Sequence, residues 1–323
     1  MRRPVFNSPF ADEMNHYLND RVAAGFQESS YYGELKKFDR FCCEEKLIAP
    51  IFAEDNASRW LERSTDESTT THYHRINGSK QFLIYIKKKR YDVFVIRDIR
   101  FRPTDFQPHI YTKEQVQRYF LAVDSYSDSR SKKAAIQYPV LFRILYCCGS
   151  RLSETLSIRK MDVDLDNGII KLSETKNNCE RYIVLSDELS DFMRQFANKC
   201  FYLLADNDYI FTTRTGKRIN GRRVYEVHRM FLEKAVIPYI GKGLGPRVHD
   251  WRHTMAVQSF KQMIDSGLDM YVALPILSAY LGHKTIFATE KYVRLTMQIY
   301  PQIEEKFRSS VDLIFGGLAD ENN

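Results

Sequence analysis

The feature that most constrains this fold is a short change of periodicity in the middle of a chain whose apolar residues otherwise have helical spacing. Apolar residues at 163–165 and 169–172 flank the dipeptide Asn167-Gly168. Asn-Gly between two apolar runs is the strongest short-range sequence signal for a β-hairpin. The apolar run 182–185 predicts a third strand. The chain is therefore predicted to be mainly α with a small three-stranded antiparallel sheet, an α+β fold.

Apolar residues at three-to-four spacing predict helices on both sides of this hairpin. Before residue 100, the predicted helices are 8–25, 29–47, 57–63 and 70–89. Thr112 and Gln115 form a capping-box start for the next helix, and a longer helix is predicted at 131–147. Residues 187–315 are predicted to be mostly helical.

A length of 323 residues favours two domains. Residues 101–111 contain Pro103 and Pro108 and lack helical periodicity, which predicts a linker. The predicted organisation is a helical domain at 1–100, a linker at 101–111, a second domain at 112–295, and a C-terminal helix and tail at 296–323.

Charge is concentrated in two basic segments, within a chain of formal net charge +7. Residues 80–102 contain eight basic residues against two acidic ones, and residues 214–229 contain six against one. Such concentration is typical of a nucleic-acid footprint, although solvated helix faces are the alternative explanation. The candidate DNA-binding residues are Lys87, Lys88, Lys89, Arg90, Arg100, Arg102, Arg214, Lys217, Arg218, Arg222 and Arg223.

Composition excludes several other classes of protein. Hydrophobic residues make up 44% and charged residues 28%, which excludes a mainly disordered or collagen-like chain. The longest nearly uncharged apolar stretch, 270–282, is too short to span a bilayer, and the N-terminus lacks the apolar region of a secretory signal. Six cysteines without a C-x-x-C pair favour a reduced cytosolic protein with no metal.

Four short islands contain residue types suited to phosphate chemistry: 149–154, Lys176 in the predicted hairpin loop, 249–254, and Gly282-His283 with a tyrosine nine residues after the histidine. Taken singly, each has a commoner structural explanation. Taken together, they supply arginines for the growing charge on a phosphate, a nucleophile, and proton donors. The sequence contains no acidic cluster that would suggest a two-metal nuclease.

The order of these islands resembles the tyrosine recombinases, also called the phage integrase family, from about residue 112 to 295. "GSRLSETLSI" resembles the first arginine box of the family, "HDWRHTMA" the second, and "LGHKTIFATEKYVRLT" the third. The resemblance implies that Tyr292 attacks the scissile phosphate and forms a 3′-phosphotyrosyl bond. It also implies that Arg151 and Arg252 hold the non-bridging oxygens of that phosphate. The phosphotyrosyl bond stores the phosphodiester energy, so the resemblance implies no ATP, no other cofactor and no metal.

The resemblance also assigns the proton transfers. His249 serves in proton transfer, His283 donates to a phosphate oxygen, and Lys176 protonates the leaving 5′-oxygen. Lys171 remains an alternative to Lys176, because it lies in the same hairpin. The resemblance further implies that Glu154, three residues after the first arginine, orients that arginine.

The implied function is site-specific recombination of double-stranded DNA at core sites. It would occur in a homotetramer on DNA, alone or with related recombinases, in the cytoplasm and associated with the nucleoid. His249 and His283 are 34 residues apart, several more than in compact members of the family that the sequence resembles. This longer span favours an integrase that integrates or excises a mobile element. A DNA-binding accessory protein without turnover and a type IB topoisomerase are the alternatives.

The tail carries an apolar stripe at helical spacing, formed by Ile303, Phe307, Val311 and Ile314. The resemblance implies that this helix is exchanged between protomers. Packing on its own domain is the alternative.

Overall fold

A computed structural model describes residues 5–100, 107–128, 131–173, 180–241, 245–283 and 285–301, except the side chain of Phe287. The chain divides into two compact units, Met1–Phe106 and Gln107–Asn323. Part of the predicted linker, including Arg102, lies outside the described residues, and so does the tail stripe. The domain boundaries proposed from the sequence therefore stay predictions.

Between residues 5 and 100, the first unit contains four helices: α1 (Ala11–Ala23), α2 (Ser29–Glu44), α3 (Glu54–Leu61) and α4 (Thr69–Lys88). Their apolar faces enclose one core, in which the rings of Phe10, Phe38 and Phe82 are fully buried. α2 and α4 pack so closely that a Cβ at Gly78 would lie 2.7 Å from the Cβ of Glu34. The predicted four-helix pattern is confirmed.

The second unit is also mainly helical. Its helices are α5 (Lys113–Asp124), α6 (Lys132–Cys147), α7 (Leu152–Leu156), α8 (Asp187–Cys200), α9 (Gly221–Lys234), α10 (Asp250–Asp265), α11 (Met270–Leu281) and α12 (Phe287–Ile299). The capping box at the start of α5 is confirmed, because the Thr112 hydroxyl accepts from the Gln115 N–H and the Gln115 side chain accepts from the Thr112 N–H.

The three strands β1 (Val163–Asp164), β2 (Ile169–Leu172) and β3 (Arg181–Val184) form one antiparallel sheet in the order β1-β2-β3. The predicted fold class is confirmed. The third strand begins one residue earlier than predicted, because Arg181 pairs with Leu172 in the β2–β3 register. This places the Arg181 side chain on the sheet rather than in the preceding loop.

Helix α10 is central to the second unit, because it packs against α6, α11 and α12. Its Trp251 is fully buried and stacks on Tyr111 with ring centroids 3.8 Å apart. The Tyr111 N–H also donates to the Thr254 hydroxyl, which ties the segment before α5 to α10. The first turn of α10 lies beside the ends of α6 and α11 and against Tyr292 of α12. Within the described parts of the chain, no helix is both long enough and apolar enough to cross a bilayer.

Candidate active site

Arg252, in the first turn of α10, joins three sequence islands at one point. Its side chain is almost fully buried, and its two terminal nitrogens donate to the carbonyl oxygens of Gly149 (2.7 Å) and Leu281 (2.6 Å). Nη2 also lies 3.1 Å from Nε2 of His283. Burial lowers the pKa of Arg252 to about 10, so the guanidinium remains positive at neutral pH.

The hydrogen bonds of His283 assign its tautomer. Since Arg252 can only donate, Nε2 of His283 is the acceptor, and Nδ1 carries the proton and donates to the Thr289 hydroxyl at 2.7 Å. Burial, together with the positive charges of Arg252 and Arg151, lowers the pKa of His283 to about 4. The imidazole is therefore neutral at neutral pH.

Arg151 and Glu154 form a closed pair at the start of α7. The Arg151 N–H donates to Oε2 of Glu154 (2.9 Å), and Nη1 of Arg151 donates to Oε1 (2.6 Å). Arg181 on β3 donates to the same carboxylate from both terminal nitrogens, at 3.2 and 2.8 Å. Burial raises the pKa of Glu154, but the hydrogen bonds from Arg181 and Arg151 outweigh it and hold the pKa at about 2. The structure thus places an ionised carboxylate between two guanidinium groups.

Tyr292, on α12, is fully buried beside this cluster. Its ring is nearly parallel to the His283 ring, with the centroids 6.2 Å apart. Among the described residues, the Tyr292 hydroxyl makes no well-formed hydrogen bond, and the Arg252 guanidinium is the nearby donor that interacts with it. Burial raises the pKa of Tyr292, and the nearby positive charges of Arg252 and Arg151 oppose that shift.

His249 lies immediately before α10 and keeps an exposed edge. It lines an open groove of about 720 Å³ together with Arg151, Arg218 and Tyr225. Burial of the ring and the charges of Arg252 and other neighbouring cations lower the pKa of His249 to about 4. A neutral imidazole and an arginine therefore face the same groove.

The structure leaves the lysine assignment open. Lys176 lies outside the described residues. The alternative, Lys171 on β2, forms an ion pair with Glu180 at 2.8 Å, and this contact raises its pKa. Lys171 is thus already held by a carboxylate.

The candidate DNA-binding residues that the structure describes are all exposed, as a DNA-facing role requires: Lys87, Lys88, Lys89, Arg90, Arg100, Arg214, Lys217, Arg218, Arg222 and Arg223. Four of them already have side-chain partners. Lys89 donates to Glu13 (2.7 Å), and Arg218 donates to the Ser157 hydroxyl (2.6 Å). Arg222 and Arg223 each lie 3.4 Å from the carboxylate of Glu226.

Sequence reasoning missed four residues around this site: Arg181, Thr289, His253 and Lys291. His253 is buried one turn after His249, with its ring centroid 5.5 Å from that of Tyr292. Lys291 precedes Tyr292, and its Nζ lies 5.1 Å from the Tyr292 ring centroid. For His253 and Lys291, adjacency to the recognised motifs was an available signal. Arg181 and Thr289 reach the site only through tertiary contacts.

The fold of the chain matches solved tyrosine recombinases. The structure of the Tn1549 transposon integrase in complex with transposon right end DNA aligns with a TM-score of 0.64 and 15% identity, covering 90% of this chain and 99% of that one. The structure of the XerH site-specific recombinase bound to difH substrate aligns with a TM-score of 0.62 and 17% identity, covering 86% and 79%. At these identities, the likeness establishes the fold.

The sequence establishes the family. Residues 110–298 match the model of the phage integrase family, so the chain belongs to that family. An integrase/recombinase of Sinorhizobium fredii is 27% identical over 88% of this chain and 93% of its own length. The tyrosine recombinase XerC of Staphylococcus saprophyticus is 24% identical, with coverage of 83% and 86%. The chain is thus an enzyme of the tyrosine recombinase type, a site-specific recombinase.

Proposed function

We propose that this recombinase cuts and rejoins double-stranded DNA through a 3′-phosphotyrosyl intermediate on Tyr292, without a metal ion. The observation that carries the proposal is the position of the Arg252 guanidinium. It bridges Gly149, Leu281 and His283 and so gathers separate segments of the chain beside Tyr292. Planar guanidinium groups suit two phosphate oxygens and supply positive charge where negative charge develops.

In this mechanism, Arg151 and Arg252 hold the non-bridging oxygens of the scissile phosphate. A bound phosphate anion raises the pKa of the neighbouring imidazoles, because opposite charge favours their protonated form. His249 takes the proton of the Tyr292 hydroxyl. The phosphate replaces Nε2 of His283 as acceptor of the Arg252 N–H, and His283, protonated on Nε2, then donates to a phosphate oxygen. The Tyr292 oxygen bonds to phosphorus as the bond to the 5′-oxygen breaks, and Lys176 protonates that leaving oxygen.

The same proposal covers the partners. The solved XerH and Tn1549 structures contain DNA, and the exposed basic residues of both units supply charge for phosphate contacts. We propose specific core sites as substrate, a homotetramer on DNA, and integration or excision of a mobile element, in the cytoplasm and at the nucleoid. The relatives include both transposon integrase and XerC proteins, so the mobile-element role depends on the 34-residue span identified in the sequence.

A duplex nicked near the cleavage point tests the chemistry, because loss of the short 5′-hydroxyl fragment traps the covalent complex. Wild-type protein should form this complex in the presence of EDTA, and Tyr292→Phe should form none. Because the buried Tyr292 hydroxyl makes no well-formed hydrogen bond, its removal should change the Tm little.

Tyr300→Phe is the matched control, since Tyr300 follows α12 and should keep wild-type covalent yield. Covalent yield from Tyr292→Phe would assign the nucleophile elsewhere. No yield from wild-type protein that binds DNA would favour an accessory DNA-binding protein.

Assembly is tested by sedimentation with paired core sites and by strand exchange between two duplexes. A tetramer that exchanges strands supports the proposal, whereas relaxation of supercoils without exchange favours a topoisomerase. Truncation after Pro301 should abolish the tetramer but not folding if the apolar stripe of Ile303, Phe307, Val311 and Ile314 docks on a neighbour. Unfolding of the truncated protein would instead place the stripe on its own domain.

A further inference from the structure

We propose that Arg181 is a positioning residue that acts through Glu154 to keep Arg151 directed at the scissile phosphate. The proposal rests on the proposed function, in which Arg151 holds that phosphate. It adds a residue from β3, outside the three recombinase boxes, to the apparatus that orients the first arginine.

The contacts of Glu154 carry the first step. Its carboxylate side chain is completely buried, and its oxygens receive four hydrogen bonds, two from Arg151 and two from Arg181. Arg181 contributes the fork of its guanidinium, one nitrogen to each oxygen. Arg151 contributes its main-chain N–H and one side-chain nitrogen. Arg181 therefore occupies the positions on Glu154 that a bidentate contact from the Arg151 side chain would need.

The second step is electrostatic. A buried carboxylate with only Arg151 as partner would neutralise that guanidinium and draw both of its terminal nitrogens away from the groove. With Arg181 present, the three groups carry a net charge of +1, and Arg151 keeps donors free of Glu154. Positive charge at the groove is what a phosphate requires.

The third step is the position of Arg181 itself. Only 12% of its side chain is exposed, and both of its terminal nitrogens are bonded to Glu154. Its stem instead lies against Gly282, where an added Cβ would come within 3.1 Å of its Cδ and 3.2 Å of its Nη1. Gly282 has φ +65° and directly precedes His283. Arg181 thus packs between Glu154 and the turn that presents His283.

A double-mutant cycle with Glu154 tests the inference, using single-turnover formation of the covalent complex at saturating nicked DNA. Arg181→Met removes the charge and keeps the stem. It should slow the reaction about 10- to 100-fold, the range for losing charge-assisted hydrogen bonds, while DNA Kd stays within about twofold. In a Glu154→Gln background, adding Arg181→Met should cost less than about threefold, because both variants break the same linkage.

Arg181→Lys should recover part of the rate, since it returns the charge without the fork. Arg194→Met is the matched control, because Arg194 forms an exposed ion pair with Asp191. It should leave both rate and Kd unchanged. If Arg181→Met fails to fold, the cycle is completed with Arg181→Lys in both backgrounds.

Three outcomes would overturn the inference: an unchanged rate, a loss of equal size in both backgrounds, or a loss confined to DNA Kd. The last result would make Arg181 a direct DNA contact. A wild-type protein that forms no covalent complex would refute the proposed function instead, so the two failures are distinguishable.

Discussion

At the scale of single residues, Arg252 shows why charge alone does not define this site. Two of its nitrogens are committed to main-chain carbonyls, and no ammonium group can span both and still reach a phosphate. We expect Arg252→Lys to lower the single-turnover cleavage rate by about 10²–10³, or roughly 2.7–4 kcal/mol, as for other fixed donors to a developing charge.

Arg151→Lys is the companion variant, because its lysine also cannot supply donors to Glu154 and to phosphate in one plane. We expect a loss in the same range, measured with the same nicked duplex. A loss below about threefold at either position would argue against direct contact with the phosphate.

Two buried histidines predict a dependence of stability on pH. Burial lowers the pKa of His228 to about 3 and that of His253 to about 2, whereas the unfolded value is about 6.5. The unfolded chain therefore binds more protons below pH 6.5. Above pH 6.5 neither ring lowers the free energy of unfolding. As the pH falls below that value, each ring lowers the free energy of unfolding by about 1.4 kcal/mol per pH unit.

Denaturant unfolding at pH 7, 6 and 5 measures this slope. His228→Phe keeps a ring that can pack on Phe142 but cannot titrate. We expect it to reduce the slope between pH 6 and 5 by about 1.4 kcal/mol per unit. A slope equal to that of wild type would mean that His228 does not stay neutral in the folded protein.

At the scale of elements, the turn from α6 to α7 depends on glycine. Gly149 has φ +58°, and a Cβ there would lie 2.0 Å from the Cε of Met255, whereas Gly216 has φ +77° with open space around it. Gly216→Ala should cost about 1–2 kcal/mol, the strain of the left-handed region. Gly149→Ala should cost about 1 kcal/mol more, the lower end of the overpacking range, because only the flexible end of the buried Met255 side chain must move.

The Gly149→Ala variant should also slow cleavage, because the Gly149 carbonyl accepts from Arg252. Chemical denaturation and single-turnover rates measure the two effects. Equal stability losses at the two glycines would contradict the close packing of Met255 against this turn.

The elements themselves could be predicted from the sequence, because their signals are local. Asn167-Gly168 predicted the hairpin, and Thr112 with Gln115 predicted the start of α5. The link from Arg181 to Glu154 could not be predicted, because it depends on where β3 passes relative to α7, 27 residues apart in the chain. The same holds for the buried position of Tyr292, which is set by the packing of α12 on α10.

At the scale of the whole molecule, positive charge is distributed unevenly. Some exposed basic side chains are available for DNA, whereas others are already bonded to a carboxylate of the protein. In the first unit, Lys87, Lys88 and Arg90 are exposed at the end of α4, whereas Lys89 donates to Glu13 and lies over the Tyr85 ring at 4.6 Å. Only cations that reach phosphates release counterions on binding. The basic segment should therefore contribute fewer phosphate contacts than its charge count suggests.

The salt dependence of DNA binding tests this distinction. Replacing Lys87, Lys88 and Arg90 together with Gln should weaken binding to all DNA sequences alike and lower the log–log salt slope by about 0.9 per contact, nearly three in total. Lys89→Gln alone should lower the slope by less than half a unit, because its ammonium group is already bonded to Glu13. Arg40→Gln, at an exposed position on α2, is the control and should leave the slope unchanged. A changed sequence preference with an unchanged slope would show that these side chains contact bases, because base contacts discriminate sequence whereas phosphate contacts set the salt response.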